Sequence, residues 1–220
     1  SQYEKYQENL KINNKNNALG GLFKIKHKNH FVLIDIDSPP QKKFSKSYQS
    51  GPLSFEYFLD GEKIITNSGF GINISKRAEF LSRLTACQST LTINETSITK
   101  FEKNEMINRI FGNSIQNSFK SSGVTPKNED NCIGCSASND GYEKKFGCTH
   151  KREIYVDKKN NFLKGRDQIF KAKDGYPIRY AFRFHINPKL NVIKTMSGNS
   201  ALIQISKNKS LLFTIYEENL

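Results

Sequence analysis

The sequence predicts an all-β fold, a large antiparallel β-sandwich, on three observations. Short stretches rich in β-branched and aromatic residues recur from Leu22 to Tyr216. Turn-forming clusters punctuate them, among them Gly20-Gly21, Asp60-Gly61, Lys158-Lys159-Asn160-Asn161 and Ser197-Gly198-Asn199. The chain, at 220 residues, is also long enough to bury one sizeable core without a disulfide or metal.

In chain order, residues 1–18 are polar and Asn-rich and read as a linker, with Tyr3, Tyr6 and Leu10 spaced as in the tail of a helix. Leu22–Ile25 and Phe31–Ile36 read as two strands flanking a polar turn that carries solvated His27 and His30. Pro39-Pro40 ends that pair, and Lys42–Ser50 is a loop. Gly51–Phe58 and Lys63–Gly69 form a hairpin around Asp60-Gly61, a dipeptide suited to a tight turn.

Next, Thr85, Cys87 and Ser89 alternate with Ala86, Gln88 and Thr90, and Leu91 and Ile93 alternate with Thr92 and Asn94. Period two predicts a strand over Arg83–Asn94 with one buried and one reachable face, Gln88 on the reachable one. Ser97–Phe101 reads as a second short strand. Residues 102–131 read as an irregular insertion holding a short helix within Asn104–Asn117, with Ile107, Ile110 and Phe111 on one face, and then a loop, Ser121–Asn131. From Lys151 onward the pattern is a β meander: Arg152–Asp157, Phe162–Phe170, Tyr180–Ile186, Val192–Thr195, Ala201–Ser206 and Leu211–Tyr216, with Lys173–Tyr176 among its turns.

Composition excludes some partners. The net charge of +13 comes from Lys spread along the whole chain, and no aromatic-interleaved basic motif accompanies it, so no nucleic-acid partner is expected. No apolar run approaches the ~18 residues of a membrane span, so no membrane partner is expected either. Ser1–Tyr6 lacks the layout of a signal peptide and the chain does not begin with Met, so it reads as a piece of a longer protein.

Gly51–Gly69, Arg83–Asn94, Asn139-Asp140-Gly141-Tyr142 and His150-Lys151-Arg152, followed by Leu163–Asp167 and Arg183–Pro188, resemble the C-terminal β-sandwich of heparinase II/III-type polysaccharide lyases. The resemblance spans roughly Leu19 to Tyr216. It implies a supersandwich-like domain over 19–220, and makes 1–18 a linker or the end of a missing N-terminal helical toroid. It further implies a bacterial, periplasmic or secreted enzyme that cleaves an acidic, uronic-acid-containing polysaccharide such as a glycosaminoglycan by β-elimination. The principal acid and base, a Tyr and a His, would lie on the helical domain of the same protein. The fragment alone would be inactive.

The same resemblance selects site residues. Gln88 stands where the family's R-x-T-x-x-H pattern has a His, with Arg83 at the pattern's start; these are the catalytic candidates. A lyase of this kind needs a titrating base and donors for the enediolate. Gln88 cannot titrate and can only hydrogen-bond, whereas Arg83 can pair with a carboxylate. Asn139 replaces the His of a His-Asp-Gly-Tyr motif, so Asn139, Tyr142, His150 and His185 are carried as substrate-binding candidates, with a core role for Tyr142 and a structural hydrogen bond for His185 as alternatives. No cofactor is firmly implied, but zinc is possible. Cys132-x-x-Cys135 followed by Cys148-x-His150 supplies four tetrahedral-site ligands. A disulfide among Cys132, Cys135 and Cys148, or free thiols, stay open beside it. The alternative function is a non-catalytic glycan-binding or structural sandwich.

Overall fold

The computed structural model describes residues 18–171 and 177–217. The expected linker over 1–18, apart from Ala18, which begins β1, and the expected turn at Lys173–Tyr176 lie outside the described residues. The strands are β1 (Ala18–Leu19), β2 (Leu22–His27), β3 (His30–Asp35), β4 (Phe55–Leu59), β5 (Glu62–Thr66), β6 (Leu91–Ile93), β7 (Ser121–Asn128), β8 (Cys132–Tyr142), β9 (Cys148–Asp157), β10 (Phe162–Lys171), β11 (Tyr180–Phe182), β12 (His185–Ile186), β13 (Asn191–Lys194), β14 (Ser200–Ser206) and β15 (Lys209–Thr214). Short helices α1 (Lys76–Ser82), α2 (Glu105–Phe111) and α3 (Glu143–Phe146) interrupt them. None of the described helices is long and apolar enough to cross a membrane.

All strand pairings among the described residues are antiparallel. A six-stranded sheet runs β1-β2-β3-β4-β5-β12 and a four-stranded sheet β10-β9-β8-β7, while β6 pairs with β11 and β13-β14-β15 form a three-stranded sheet. Alternation within the six-stranded sheet sends Phe23, Ile25, Val32, Ile34, Phe55, Tyr57 and Leu59 inward, where they meet Cys135, Ile154 and Val156 of the four-stranded sheet and Ile203 of β14. Each fully buried aliphatic or aromatic side chain there contributes roughly 1.5–3 kcal/mol. A second cluster, Leu91, Ile93, Ile98, Phe119, Tyr142 and Cys148, packs β6 against the ends of β8 and β9. The β4–β5 hairpin forms around Asp60-Gly61 as expected, both residues at positive φ (52° and 83°), the geometry a two-residue turn requires.

Five sequence expectations are corrected. Arg83–Asn94 is not one strand: Ser75 Oγ caps α1 by accepting from Ala78 N at 3.1 Å, Arg83 ends that helix, Thr85–Cys87 is a 3₁₀ turn, and only Leu91–Ile93 is strand. The reason is hydroxyl chemistry. Thr85 Oγ1 accepts from Ile98 N at 3.0 Å, Ser89 Oγ donates to Thr66 O at 2.7 Å and Thr90 Oγ1 donates to Pro52 O at 2.7 Å, so side chains take the place of a ladder. Ser97–Phe101 forms no strand, with Phe101 making an isolated bridge to Ile115. Ser121–Asn128 is a strand rather than a loop; as the exposed edge beside β8 it has no apolar face to betray it. The meander breaks at Arg183-Phe184, because β11 pairs with β6 whereas β12 joins β5 in the six-stranded sheet. His30, expected in solvent, is buried in β3, where its Nδ1 accepts from the Tyr57 hydroxyl at 2.9 Å.

Candidate functional site: the Gln88 pocket

Gln88 follows the 3₁₀ turn in extended backbone, 2% exposed, and its Nε2 donates to Ser82 O at 2.8 Å. Its neighbour Ser89 is pinned on every polar atom. Ser89 N donates to Asn67 Oδ1 (2.8 Å), and its hydroxyl accepts from His185 N (2.9 Å) besides donating to Thr66 O. Its carbonyl accepts from Arg152 Nη1 at 2.7 Å. Gly51 packs so closely that a Cβ there would lie 2.8 Å from Ser54 Oγ and 3.0 Å from Gln88 Cγ, so glycine is required for Gln88 to hold this position.

These groups edge a cavity of about 190 Å³. Gln88, Gln49, Asn67 and Ser54 supply amides and a hydroxyl, Asp35 and Glu56 carboxylates, and Leu22 and Leu33 an apolar floor. Amides and hydroxyls beside an apolar floor can read the hydroxyls and ring faces of a sugar. Burial pushes the Asp35 carboxyl up to about 7, the Asp37 N–H opposing that rise and the Asp37 charge adding to it, so Asp35 exchanges its proton near neutrality. Glu56 is paired with Lys63 at 2.7 Å.

Behind the pocket lies a buried ion cluster. Asp167 Oδ1 accepts from Arg152 Nε (2.6 Å) and His150 Nε2 (2.8 Å), and Oδ2 accepts from Arg152 Nη2 (3.0 Å). Burial alone would raise the Asp167 pKa, but the Arg152 charge and the hydrogen bonds from His150 and Arg152 outweigh it and hold the carboxyl well below the usual range. Burial lowers the His150 pKa against the pull of Asp167, so the imidazole is neutral and donates from Nε2. Arg152 Nη1 reaches across to Leu53 O and Ser89 O, both at 2.7 Å, and thereby ties this cluster to the Gln88 segment.

The remaining expected site residues are structural anchors in this geometry. Arg83, fully buried, donates to Tyr48 O (2.9 Å), Asn113 O (2.6 Å) and Ser45 O (2.8 Å) and stacks 4.2 Å over Phe101. Burial lowers its pKa to about 10, and its guanidinium points into three carbonyls rather than toward a substrate carboxylate. Asn139 is buried opposite His150, donating to Ser121 Oγ (3.2 Å) and accepting from Gly141 N (2.8 Å). Tyr142 is in the core, its hydroxyl donating to Thr96 O at 2.7 Å. His185 keeps a partly exposed ring 3.0 Å from Ala86 O, bracing the turn that carries Gln88.

The four suggested zinc ligands are not brought together. Cys132 and Cys135 are three residues apart on one strand and so face opposite sides of it. Cys135 lies opposite Ile154 while Cys148 lies opposite Tyr142, six residues along β9 from Ile154. All four cysteines of the chain are free thiols, so no disulfide links them either.

Sequence reasoning singled out Gln88 by motif but expected it on the reachable face of a strand, whereas it is buried outside any strand, and it quoted the segments holding Arg152, Asp167 and Asn67 without singling those residues out. Their signal was polar type at inward positions of strands, visible only once register is known. Asp35 and Gly51 carried no signal: each is defined by what folds over it.

A family model described as heparinase II/III-like, C-terminal, matches residues 13–219. FtsZ-localized protein C of Caulobacter vibrioides (strain NA1000 / CB15N) is 26% identical over 188 residues, covering 80% of this chain and 31% of that protein. Among solved structures, a mutant of the heparan sulfate lyase HepC from Pedobacter heparinus superposes with a TM-score of 0.69 at 14% identity, covering 94% of this chain and 29% of that one. Heparinase III superposes with a TM-score of 0.60, also at 14% identity, covering 87% and 27%. This chain thus spans about 30% of the length of the relatives it matches, and the likeness to the solved lyases is one of fold. With the family model matched along almost all of its length, the chain belongs to the heparinase II/III-like C-terminal domain family.

Proposed function

We propose that this chain is the β-sandwich part of an exported lyase that cleaves an acidic, uronic-acid-containing polysaccharide by β-elimination. The observation that carries the reading is the polar pocket at Gln88, which stands at the family's histidine position in a chain that follows the family along its length. In β-elimination a base takes the proton at C5 beside the uronate carboxylate. The C4–C5 double bond forms as the C4–O bond breaks, and the departing oxygen gains a proton. The base and acid belong to a helical domain of the same protein, and this sandwich forms one wall of the cleft. On that wall the pocket amides orient the sugar, and Asp35 is the group able to exchange a proton near neutral pH. The test is to incubate the full-length protein with a panel of uronic-acid glycans and follow the ultraviolet absorbance of unsaturated uronate. No gain on any of them overturns the lyase reading.

A second reading is a non-catalytic glycan-binding or structural sandwich. It is favoured by the loss of imidazoles at Gln88 and Asn139 and by the commitment of the Gln88 amide to Ser82 O. Glycan binding without product in the same assay selects it.

A further inference from the structure

The inward face of the six-stranded sheet is core, so the pleat sends the alternate residues outward: Leu22, Lys24 and Lys26 on β2, Phe31, Leu33 and Asp35 on β3, Glu56 and Phe58 on β4. One end of this outward face is the Gln88 pocket, which takes in Leu22, Leu33, Asp35 and Glu56. At the other end a single cross-strand row reads Lys26, Phe31, Phe58, Lys63, each directly opposite the next. Phe31 and Phe58 meet edge to face with centroids 5.6 Å apart, and Lys63 Nζ sits 5.1 Å over the Phe58 ring. Two partly exposed aromatic rings form an apolar platform with Lys26 as its cationic flank, while Lys63 on the other side is ion-paired with Glu56 at 2.7 Å. That chemistry fits a sugar ring stacked by its C–H face and held by its carboxylate or sulfate groups. The row lies roughly 13 Å along β3 from Asp35, four residues at the strand rise, which is the reach of a short oligosaccharide. Glu56 is already neutralised by Lys63, so the face between row and pocket carries its positive charge on Lys24 and Lys26.

We propose that this outward face is a continuous track for an acidic glycan, in which the Lys26–Phe31–Phe58–Lys63 row is a subsite for a sugar unit flanking the one at the Gln88 pocket. The proposal rests on the acidic-polysaccharide reading above and extends it to a site with no reacting group, so it applies equally to a lyase and to a binding module.

The test uses the full-length protein and heparan sulfate oligosaccharides of increasing length. The double variant Lys26→Ala/Phe31→Ala should bind long oligosaccharides about tenfold more weakly while binding the shortest ones unchanged, since only long chains reach the row. Because this chain has no Trp, Phe58→Trp keeps an aromatic platform and adds a reporter. Its emission, taken as the difference from wild type, should shift on adding long oligosaccharides. Equal affinities of the double variant and wild type for long chains would overturn the track while leaving the pocket reading intact. So would a Phe58→Trp emission insensitive to an oligosaccharide that binds, which is what a row covered by another part of the protein would give. Failure of wild-type protein to bind any of the oligosaccharides would overturn track and polysaccharide reading together.

Discussion

Asp167 grips Arg152 with both carboxylate oxygens, at 2.6 Å to Nε and 3.0 Å to Nη2, and the free Nη1 then fastens the Leu53 and Ser89 carbonyls in the segments that lead into β4 and β6. The pair is therefore a rivet between the four-stranded sheet and the segment that carries Gln88. Asp167→Asn leaves a buried guanidinium without its counter-charge and should cost about 3–5 kcal/mol in chemical denaturation. The Asp167 pKa is depressed by folding, so its contribution is present above the ordinary carboxylate range and lost as pH falls through its folded value. Wild-type stability should thus fall in acid more steeply than that of Asp167→Asn; parallel profiles would remove the rivet.

Asp35 has the opposite sign. Folding raises its pKa to about 7, so the stability it contributes is fully present below the unfolded carboxylate value and lost as pH rises through neutrality. Asp35→Asn should match wild type near pH 4 and be more stable by about 1–4 kcal/mol near pH 8.5, measured as the urea midpoint at each pH. A difference independent of pH would mean that Asp35 ionises in the fold without penalty.

Gly51 and Gln88 interlock. Gly51→Ala must displace Ser54 Oγ or Gln88 Cγ and should cost about 1–3 kcal/mol, and Gln88→Ala, which deprives Ser82 O of its donor, a similar amount. Once Gln88 is truncated its Cγ no longer crowds the alanine at 51, which then meets Ser54 Oγ and the remaining Cβ at 88, so the double variant should cost less than the sum of the two. Strict additivity in a double-mutant cycle would deny the contact.

The thiols should separate by burial. Burial pushes Cys135 up to about 12 and raises Cys148 as well, and both are closed from solvent, whereas Cys132 is partly exposed. A thiol-specific chromophore should label Cys132 within minutes in native protein and reach Cys135 and Cys148 only on unfolding. Rapid native labelling of Cys135 would contradict the packing of the two main sheets.

Legibility followed the locality of the cause. The β2, β3, β4 and β5 strands and the Asp60-Gly61 turn were readable because alternation and turn chemistry act over two to six residues. The helix Lys76–Ser82 passed unseen because its seven residues carry one cap and too short an apolar stripe. Arg83–Asn94 misled because small hydroxyl residues at period two imitate a strand while their oxygens bind distant backbone. Gln88 was placed by motif, but its burial and its bond to Ser82 O were not readable, since both depend on α1 packing behind it.

By itself the sequence determined that this chain is an antiparallel sandwich of the heparinase II/III-like kind, because side-chain period and turn residues bias each segment before any long-range contact forms. Only the tertiary structure decided which polar residues face a pocket and which serve as rivets. Arg83, Asn139 and Arg152 look alike as sequence, yet each is consumed by carbonyls, a hydroxyl or a carboxylate brought from 15 to 99 residues away. Asp35 became a neutral-pH acid, and Lys26, Phe31, Phe58 and Lys63 became one row, through strand register and burial, which exist only when the sheets are assembled.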